Sequence, residues 1–166
     1  MFFVRTAGRP DLPAIARLLA ETWHDTYDRL YGAEKVDEIV AAWHSVTALE
    51  ARLNRPHSEF VVADDGTRLG GMAYAARSTE HEKRVMLYQL YVSPDCQGKG
   101  IGTALLEEVN GAFPDATILR LEVAPANAKA VGFYQAHGFE KVGETSDCGG
   151  DSGLPADIYE RQIIWA

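Results

Sequence analysis

A glycine-rich segment of the chain has the composition and spacing of a phosphate-binding loop. It runs from Gln97 to Gly102 with a glycine at every second position, and an amphipathic helix pattern begins directly behind it at Thr103. Glycines let the backbone approach a bulky ligand closely. The first turn of a helix presents N–H groups without carbonyl partners, and the helix dipole favours negative charge there. The segment therefore predicts a site for the pyrophosphate of a phosphorylated cofactor.

Two common phosphate-binding patterns do not match this segment. A Walker A loop requires Ser or Thr after its lysine, whereas Lys99 is followed by Gly100. A dinucleotide-binding fingerprint requires a third glycine at the place where this chain has Thr103. What fits is a glutamine followed, after two residues, by Gly-x-Gly. This pattern resembles the acetyl-CoA pyrophosphate loop of the GCN5-related N-acetyltransferase superfamily. A flexible glycine linker is the alternative, but the segment lies between a strand pattern and a helix pattern.

A second segment, residues 117–139, carries the same resemblance independently. In the superfamily a strand ending Leu-x-Val is followed by an asparagine, then by a helix with Ala-x-x-x-Tyr that closes in Gly-Phe. Asn127 is a good helix N-cap and Gly138 a good glycine for ending the helix. The matching positions are Leu121, Val123, Asn127, Ala130, Tyr134, Gly138 and Phe139. The two motifs occur in the order found in the superfamily, which makes the resemblance far more specific than either motif alone.

The composition limits the classes of protein to which the chain can belong. Its 166 residues suit a single domain over 1–166, and 46% apolar residues suit a globular core. A net charge of −8 does not favour nucleic acid. Two cysteines and five dispersed histidines give neither a disulfide framework nor a metal-binding spacing. We find no leader pattern and no long apolar run, so a cytoplasmic protein without membrane attachment or metal is expected.

Hydrophobic periodicity predicts seven strands and four helices. The strands are expected at 2–7, 59–63, 69–76, 85–92, 118–123, 140–145 and 158–164, and the helices at 11–23, 33–44, 103–109 and 127–137, with a turn or mobile loop over 146–156. The resemblance implies an α/β (α+β) fold: a mixed, mostly antiparallel twisted sheet of about seven strands, flanked by four helices. It also implies that the fourth and fifth strands splay apart.

The resemblance assigns the cofactor-binding residues. Pantetheine would pair with the edge of the fourth strand, and a backbone N–H near Val92 would polarise the acetyl carbonyl. Asn127 would bond backbone or pantetheine amides near the splay, while serving also as a plain N-cap. The full expected set is Leu90, Tyr91, Val92, Gln97, Gly98, Lys99, Gly100, Ile101, Gly102, Thr103, Asn127, Ala130 and Tyr134.

Two residues are candidates for catalysis of thioester aminolysis. Tyr134 matches the superfamily's catalytic tyrosine, and a phenol with a pKa near ~10 can protonate a departing thiolate. Glu122 lies in a Leu-Glu-Val run very similar to that of the subfamily that acetylates ribosomal protein N-termini, where this glutamate is assigned as the base. The alternatives are a core tyrosine and a solvent-facing glutamate. Tyr88 and Gln89 are neighbouring candidates for substrate contact.

The resemblance implies an enzyme that transfers acetyl from acetyl-CoA directly to a primary amine in a ternary complex. A non-catalytic acyl-CoA sensor is the alternative, although such a sensor would not need Tyr134 and Glu122. The amine, which is a small molecule or a peptide, is left open, and so is the acyl-chain preference. Superfamily members often dimerise, so a homodimer is a further expectation. In the two N-terminal helices, Trp23, His24, Tyr27, Tyr31 and Trp43 belong either to the core or to a wall of the acceptor site.

Overall fold

The computed structural model describes residues 1–148 and 153–163, and in these it contains seven strands and five α-helices. The strands form one sheet in the order β1-β2-β3-β4-β5-β7-β6. Their bounds are β1 Phe3–Thr6, β2 Ser58–Asp64, β3 Leu69–Arg77, β4 Arg84–Val92, β5 Ile118–Val123, β6 Glu140–Thr145 and β7 Ala156–Gln162. The helices are α1 Leu12–Tyr31, α2 Ala33–Trp43, α3 Val46–Leu53, α4 Ile101–Gly111 and α5 Ala128–Ala136.

The chain forms two compact units, and β3 and β4 each contribute to both. The first unit comprises Met1–Ala75 and Gln89–Ala112. The second comprises Ala76–Tyr88 and the described part of Phe113–Ala166. That residues 1–166 act as a single domain stays a prediction.

The first unit packs its helices on apolar faces that the sequence periodicity indicated. Helix α1 buries Ile15, Leu19 and Trp23, which recur at the three- to four-residue spacing of one helical face. The periodicity analysis did not separate α3 from its surroundings. This helix has as its N-cap Ser45, whose side chain accepts a hydrogen bond from the Ala48 amide. It has eight residues and buries only Leu49, too little for a visible period.

A close backbone approach in the first unit explains a glycine in β3. A Cβ on Gly71 would lie 2.9 Å from the Tyr91 carbonyl oxygen and 3.0 Å from side-chain atoms of Ile101 and Leu105. Glycine therefore lets α4 and the end of β4 pack directly against β3. This packing fixes the position of the loop that precedes α4.

The second unit contains the parallel strand pair typical of the expected fold. Strands β4 and β5 pair in parallel register from Arg84↔Ile118 to Leu87↔Leu121. Strand β7 lies antiparallel to both β5 and β6. The prediction of a mixed, mostly antiparallel sheet of about seven strands is confirmed. The splay beyond Leu87 and Leu121 stays a prediction.

Most element bounds agree with the expected ones, but α1 continues past Trp23 to Tyr31, where Gly32 with φ 85° ends it. The other differences also have local causes. Helix α4 begins at Ile101, two residues before the expected start, because Gly100 in a left-handed conformation serves as its N-cap. Strand β7 begins at Ala156, because Ala156 and Asp157 pair with Thr145 and Glu144 of β6. Residues 149–152 of the expected loop and Ile164 of the expected last strand lie outside the described residues.

Candidate active site

The glycine-rich loop has the backbone conformation expected of an anion-binding loop. Gly98 has φ 79° and Gly100 has φ 80°, in the left-handed region that favours glycine. Both are exposed, and a Cβ built on either would meet no atom of the described residues within 4 Å. With respect to those residues the space around the loop is open, and what requires glycine here is the backbone angle. Directly behind Gly100, the first-turn amides of α4 have no carbonyl four residues back within the helix.

A polar brace, which sequence analysis did not identify, fixes the loop to β3. The Ser93 amide donates to the Gly70 carbonyl at 2.8 Å, and the Ser93 hydroxyl donates to the Asp95 carboxylate at 2.7 Å. The Arg68 guanidinium bonds both Asp95 oxygens, at 2.8 and 3.0 Å. The hydrogen bonds from Arg68, and next from Ser93, hold the pKa of Asp95 far below its usual range. The Ser-Pro-Asp sequence was the available signal, since such turns bond their own backbone and side chains.

The remaining predicted residues of the loop and of β4 occupy distinct environments. The Gln97 side-chain amide donates to the Val92 carbonyl at 3.3 Å, which links the loop to the end of β4. Lys99 is exposed, and Ile101 is buried in the core. Ile101 therefore offers a ligand only its backbone. Half-buried positions are Leu90, Tyr91, Val92, Gln97, Gly102 and Thr103.

Tyr134 lies on α5 in the second unit, packed between aromatic rings. It is 8% exposed, and its ring makes edge contacts with Phe133 at 5.4 Å and Phe139 at 5.5 Å between centroids. Asn127 caps the same helix, and its side chain accepts from the Ala130 amide at 3.3 Å. The predicted N-cap is thereby confirmed, and Ala130 is half-buried on the first turn.

Glu122 lies on the half-buried face of β5, with Arg120 as a neighbour on that face. Leu119, Leu121 and Val123 on the opposite face are buried. The guanidinium of Arg120 binds Glu160 at 2.6 Å. Glu122 itself accepts a hydrogen bond from the thiol of Cys148.

Sequence analysis did not identify Cys148 as a neighbour of Glu122. Burial, followed by the charge of Glu122 and their hydrogen bond, raises the pKa of Cys148 to about 11. The Cys148 amide donates to the Leu154 carbonyl at 2.8 Å, and the Gly153 amide donates to the Asp147 carboxylate at 2.6 Å. These two bonds join the described residues that precede β7 to those that follow β6.

The aromatic residues of the N-terminal helices form a continuous cluster within the first unit. Trp23 contacts Tyr27 at 4.5 Å and Trp43 at 6.0 Å between ring centroids, and Tyr27 stacks on Tyr31 at 5.3 Å. Trp23 and Tyr27 are buried, so the core interpretation holds for these two. His24 bonds Asp28 at 2.6 Å and Asp37 at 2.8 Å, linking α1 to α2.

Within residues 1–148 and 153–163, no group of three or more His, Cys, Asp or Glu could hold a metal ion. Among the helices of that same part, none is long and apolar enough to cross a membrane.

Known proteins resemble this chain in sequence and in fold. The family model for the acetyltransferase (GNAT) domain matches residues 27–154. The peptidyl-lysine N-acetyltransferase YiaC of Escherichia coli is 30% identical over 165 residues, with 97% of each chain covered. The L-2,4-diaminobutyric acid acetyltransferase of Halalkalibacterium halodurans is 24% identical, covering 81% of this chain and 78% of its own.

A solved structure has the same fold. The PaiA N-acetyltransferase of Thermoplasma acidophilum, in complex with coenzyme A, superposes with a TM-score of 0.84 at 22% identity, covering 98% of this chain and 99% of its own. The chain thus belongs to the GNAT acetyltransferase family and is an N-acetyltransferase.

Proposed function

We propose that the protein transfers the acetyl group of acetyl-CoA directly to a primary amine in a ternary complex. One observation carries the proposal: Gly98 and Gly100 take left-handed conformations in an open loop that leads into the N-terminus of α4. Such a loop accepts a pyrophosphate on its amides without obstruction by side chains.

We propose that the loop and the end of β4 bind different parts of the cofactor. The amides of residues 97–103 would hold the pyrophosphate, and the strand edge at Leu90, Tyr91 and Val92 would pair with pantetheine. The Gln97 bond to the Val92 carbonyl supports this division, because it fixes loop and strand edge relative to each other. Asn127 and Ala130, at the start of α5, would contact the cofactor in addition to their helix-capping bond.

The chemistry that we propose is aminolysis of the thioester. The amine nitrogen attacks the carbonyl carbon, and the carbon–sulfur bond breaks. The amine loses one proton, and the thiolate of CoA gains one. Tyr134 would give its phenolic proton to the leaving thiolate, and Glu122 would accept the amine proton, directly or through water. The half-buried position of Glu122 supports its role, because a group that exchanges protons must be reachable from solvent or substrate.

The acceptor that we propose is a small amine or a peptide amine. The names of the relatives differ on this point: one acts on peptidyl-lysine, and another on L-2,4-diaminobutyric acid. The proposal therefore concerns the reacting group, a primary amine. We further propose that the protein acts in the cytoplasm, without nucleic acid, membrane attachment or metal, and that it forms a homodimer.

A thiol-release assay tests this function. Purified protein is supplied with acetyl-CoA and each member of a panel of diamines, amino acids and peptides, and free CoA is measured alongside the acetylated product by mass spectrometry. We expect release that depends on both the amine and the enzyme. If the protein bound CoA and yet no amine of any class were acetylated, the acyl-CoA sensor would replace the enzyme as the better account.

A further inference from the structure

Arg52 of α3 is a partly buried cation that has no carboxylate partner within residues 1–148 and 153–163. Its guanidinium donates to the Trp43 carbonyl and, at 3.4 Å, to Nδ1 of His44, and it lies 5.8 Å from the centre of the Tyr74 ring. In the described part of the chain, no Asp or Glu forms an ion pair with Arg52. Arg68 and Arg120 each have one such partner, and Arg5 has two.

The surroundings make the charge of Arg52 costly. Burial lowers the pKa of its guanidinium, although an arginine stays charged at neutral pH. The Trp43 carbonyl at the end of α2 compensates part of the charge through the helix dipole. A carbonyl supplies only a partial charge, however, and uses one of the five N–H donors of the guanidinium. Arg52 therefore has both donors and charge to offer a ligand.

His44, which contacts Arg52, adds a second donor. It is 1% exposed, and burial, together with the charge of Arg52, lowers its pKa to about 3. The imidazole is therefore neutral at physiological pH. Arginine can only donate, so its contact with Nδ1 is a hydrogen bond in the tautomer that carries the ring proton on Nε2. That buried Nε2–H has no hydrogen-bond partner among the residues that the structure describes.

Trp23 adds a third donor of the same kind. Its ring centre lies 5.7 Å from that of His44, and its Nε1–H is also buried without a partner in residues 1–148 and 153–163. Buried polar groups are nearly always paired in folded proteins. The Trp23 ring adjoins His44, which contacts Arg52, so the two N–H donors and the guanidinium form a group of donors with no matching acceptor among the described residues. The complementary ligand carries acceptors and negative charge.

This donor group lies close to the strand edge that we assign to the cofactor. His44 makes an edge contact with the ring of Tyr91 at 6.3 Å, and Tyr91 is half-buried on β4. All of these residues belong to the first unit. A reactant that reaches the thioester beside Tyr91 would therefore bring its neighbouring groups near Arg52.

We propose that Arg52, with the N–H groups of His44 and Trp23, binds the carboxylate of the acceptor, so that the substrate is an amine carrying a carboxylate, as in an amino acid or diamino acid. The inference rests on the proposed function and names its substrate class. A planar guanidinium is the donor best matched to a carboxylate. A purely structural role for Arg52 at the end of α2 explains the Trp43 contact and leaves both unpaired donors unexplained.

Pairs of ligands that differ only in a carboxylate test whether the protein binds that group, and they do so without requiring turnover. The protein is saturated with CoA, and calorimetry measures the binding of L-lysine and 1,5-diaminopentane as one pair, and of L-ornithine and 1,4-diaminobutane as the other. Within each pair only the carboxylate differs. We expect the amino acid to bind about 10- to 100-fold more tightly in the wild type, as for a charge-assisted hydrogen bond. Arg52→Met should reduce this ratio to within about threefold.

The ratio of the two affinities within a pair reports the effect of the carboxylate, because a loss of folded protein would affect both ligands equally. Arg9→Met is the matched control, since it removes the same charge from an exposed arginine paired with Glu50. That control should leave the ratio unchanged. The inference is overturned if the wild type shows no preference, if it binds no member of either pair, or if the preference survives in Arg52→Met. Failure of the proposed function looks different: the amino acids bind, and no amine of any class is acetylated.

Discussion

The thiol of Cys148 donates a hydrogen bond to the carboxylate of Glu122, the residue that we propose as the catalytic base. Burial and the negative charge of Glu122 both favour the neutral thiol, which is why the pKa of Cys148 is raised to about 11. The contact thus couples the titration of a cysteine to a candidate catalytic group. It can be tested through the pKa of Cys148 and through the activity that depends on Glu122.

Replacing Glu122 with glutamine should lower the pKa of Cys148. The substitution removes the charge that opposes the thiolate, while the effect of burial stays, so the pKa should fall and yet remain above the usual thiol value. The rate of alkylation at Cys148 as a function of pH, read by peptide mass spectrometry, checks this. Cys96, whose pKa is also raised by burial, is an internal control that the substitution should not affect. An unchanged Cys148 profile would show that the two side chains are not coupled.

The same substitution tests the role of Glu122 in catalysis. If Glu122 accepts the amine proton, Glu122→Gln should reduce turnover most at low pH, where the free amine is scarcest. At high pH the amine is already neutral, and the two proteins should converge. The measurement is a pH–rate profile for kcat and kcat/KM. Parallel profiles for the two proteins would remove Glu122 from the role of base, and deprotonation would then fall to solvent or to another group.

What the sequence predicted well is local. The asparagine at the start of α5 reveals its role as N-cap because its side-chain bond to the Ala130 amide closes within three residues. What it missed depends on residues distant in sequence. Cys148 meets Glu122 only because β7 returns beside β5, and Gly71 is needed only because α4 packs against β3. No pattern within a single segment encodes such contacts. Helix α3 was not predicted for a different reason: a single buried residue gives no hydrophobic period.

Tyr134→Phe should preserve CoA binding and reduce turnover by about 10²–10⁴-fold, the range for loss of a general acid. The change removes one hydroxyl and keeps the ring that packs against Phe133 and Phe139. CoA affinity by calorimetry and single-turnover rates separate the two effects. Phe133→Leu, which alters the same aromatic packing without touching the phenol, is the control. Full single-turnover activity in Tyr134→Phe would return the residue to a structural role.

Gly100→Val should strongly weaken CoA binding in a protein that still folds. A branched side chain is strained at φ 80° and would cover the amides assigned to the pyrophosphate. The strain itself costs about 1–2 kcal/mol of stability. Gly66→Val is the matched control, because Gly66 has φ 96° in the turn between β2 and β3, and its Cβ would also meet no atom of the described residues within 4 Å. Calorimetry should show CoA affinity lost in the first variant and kept in the second. Equal affinities would place the pyrophosphate elsewhere.

The link between α1 and α2 should be stronger in acid than in base. Hydrogen bonds from His24 to Asp28, and next to Asp37, raise the pKa of His24 in the folded state. The imidazolium donates to both carboxylates, whereas the neutral ring has only one proton to donate. The stabilisation is therefore fully present below the unfolded pKa of about 6.5 and is lost as pH rises through the folded pKa. All three side chains are partly exposed, so the effect should stay below about 1 kcal/mol.

Urea unfolding of the wild type and His24→Gln at pH 5.5 and 8.5 checks this prediction. The stability of the wild type by itself does not isolate His24, because His44 also titrates. Its lowered pKa has the opposite effect: the stability that neutral His44 contributes is lost as pH falls below about 6.5. Both proteins contain His44, so it cancels in the difference between them. That difference in unfolding free energy should be larger at pH 5.5 than at pH 8.5. A difference independent of pH would mean that His24 joins α1 and α2 by packing alone.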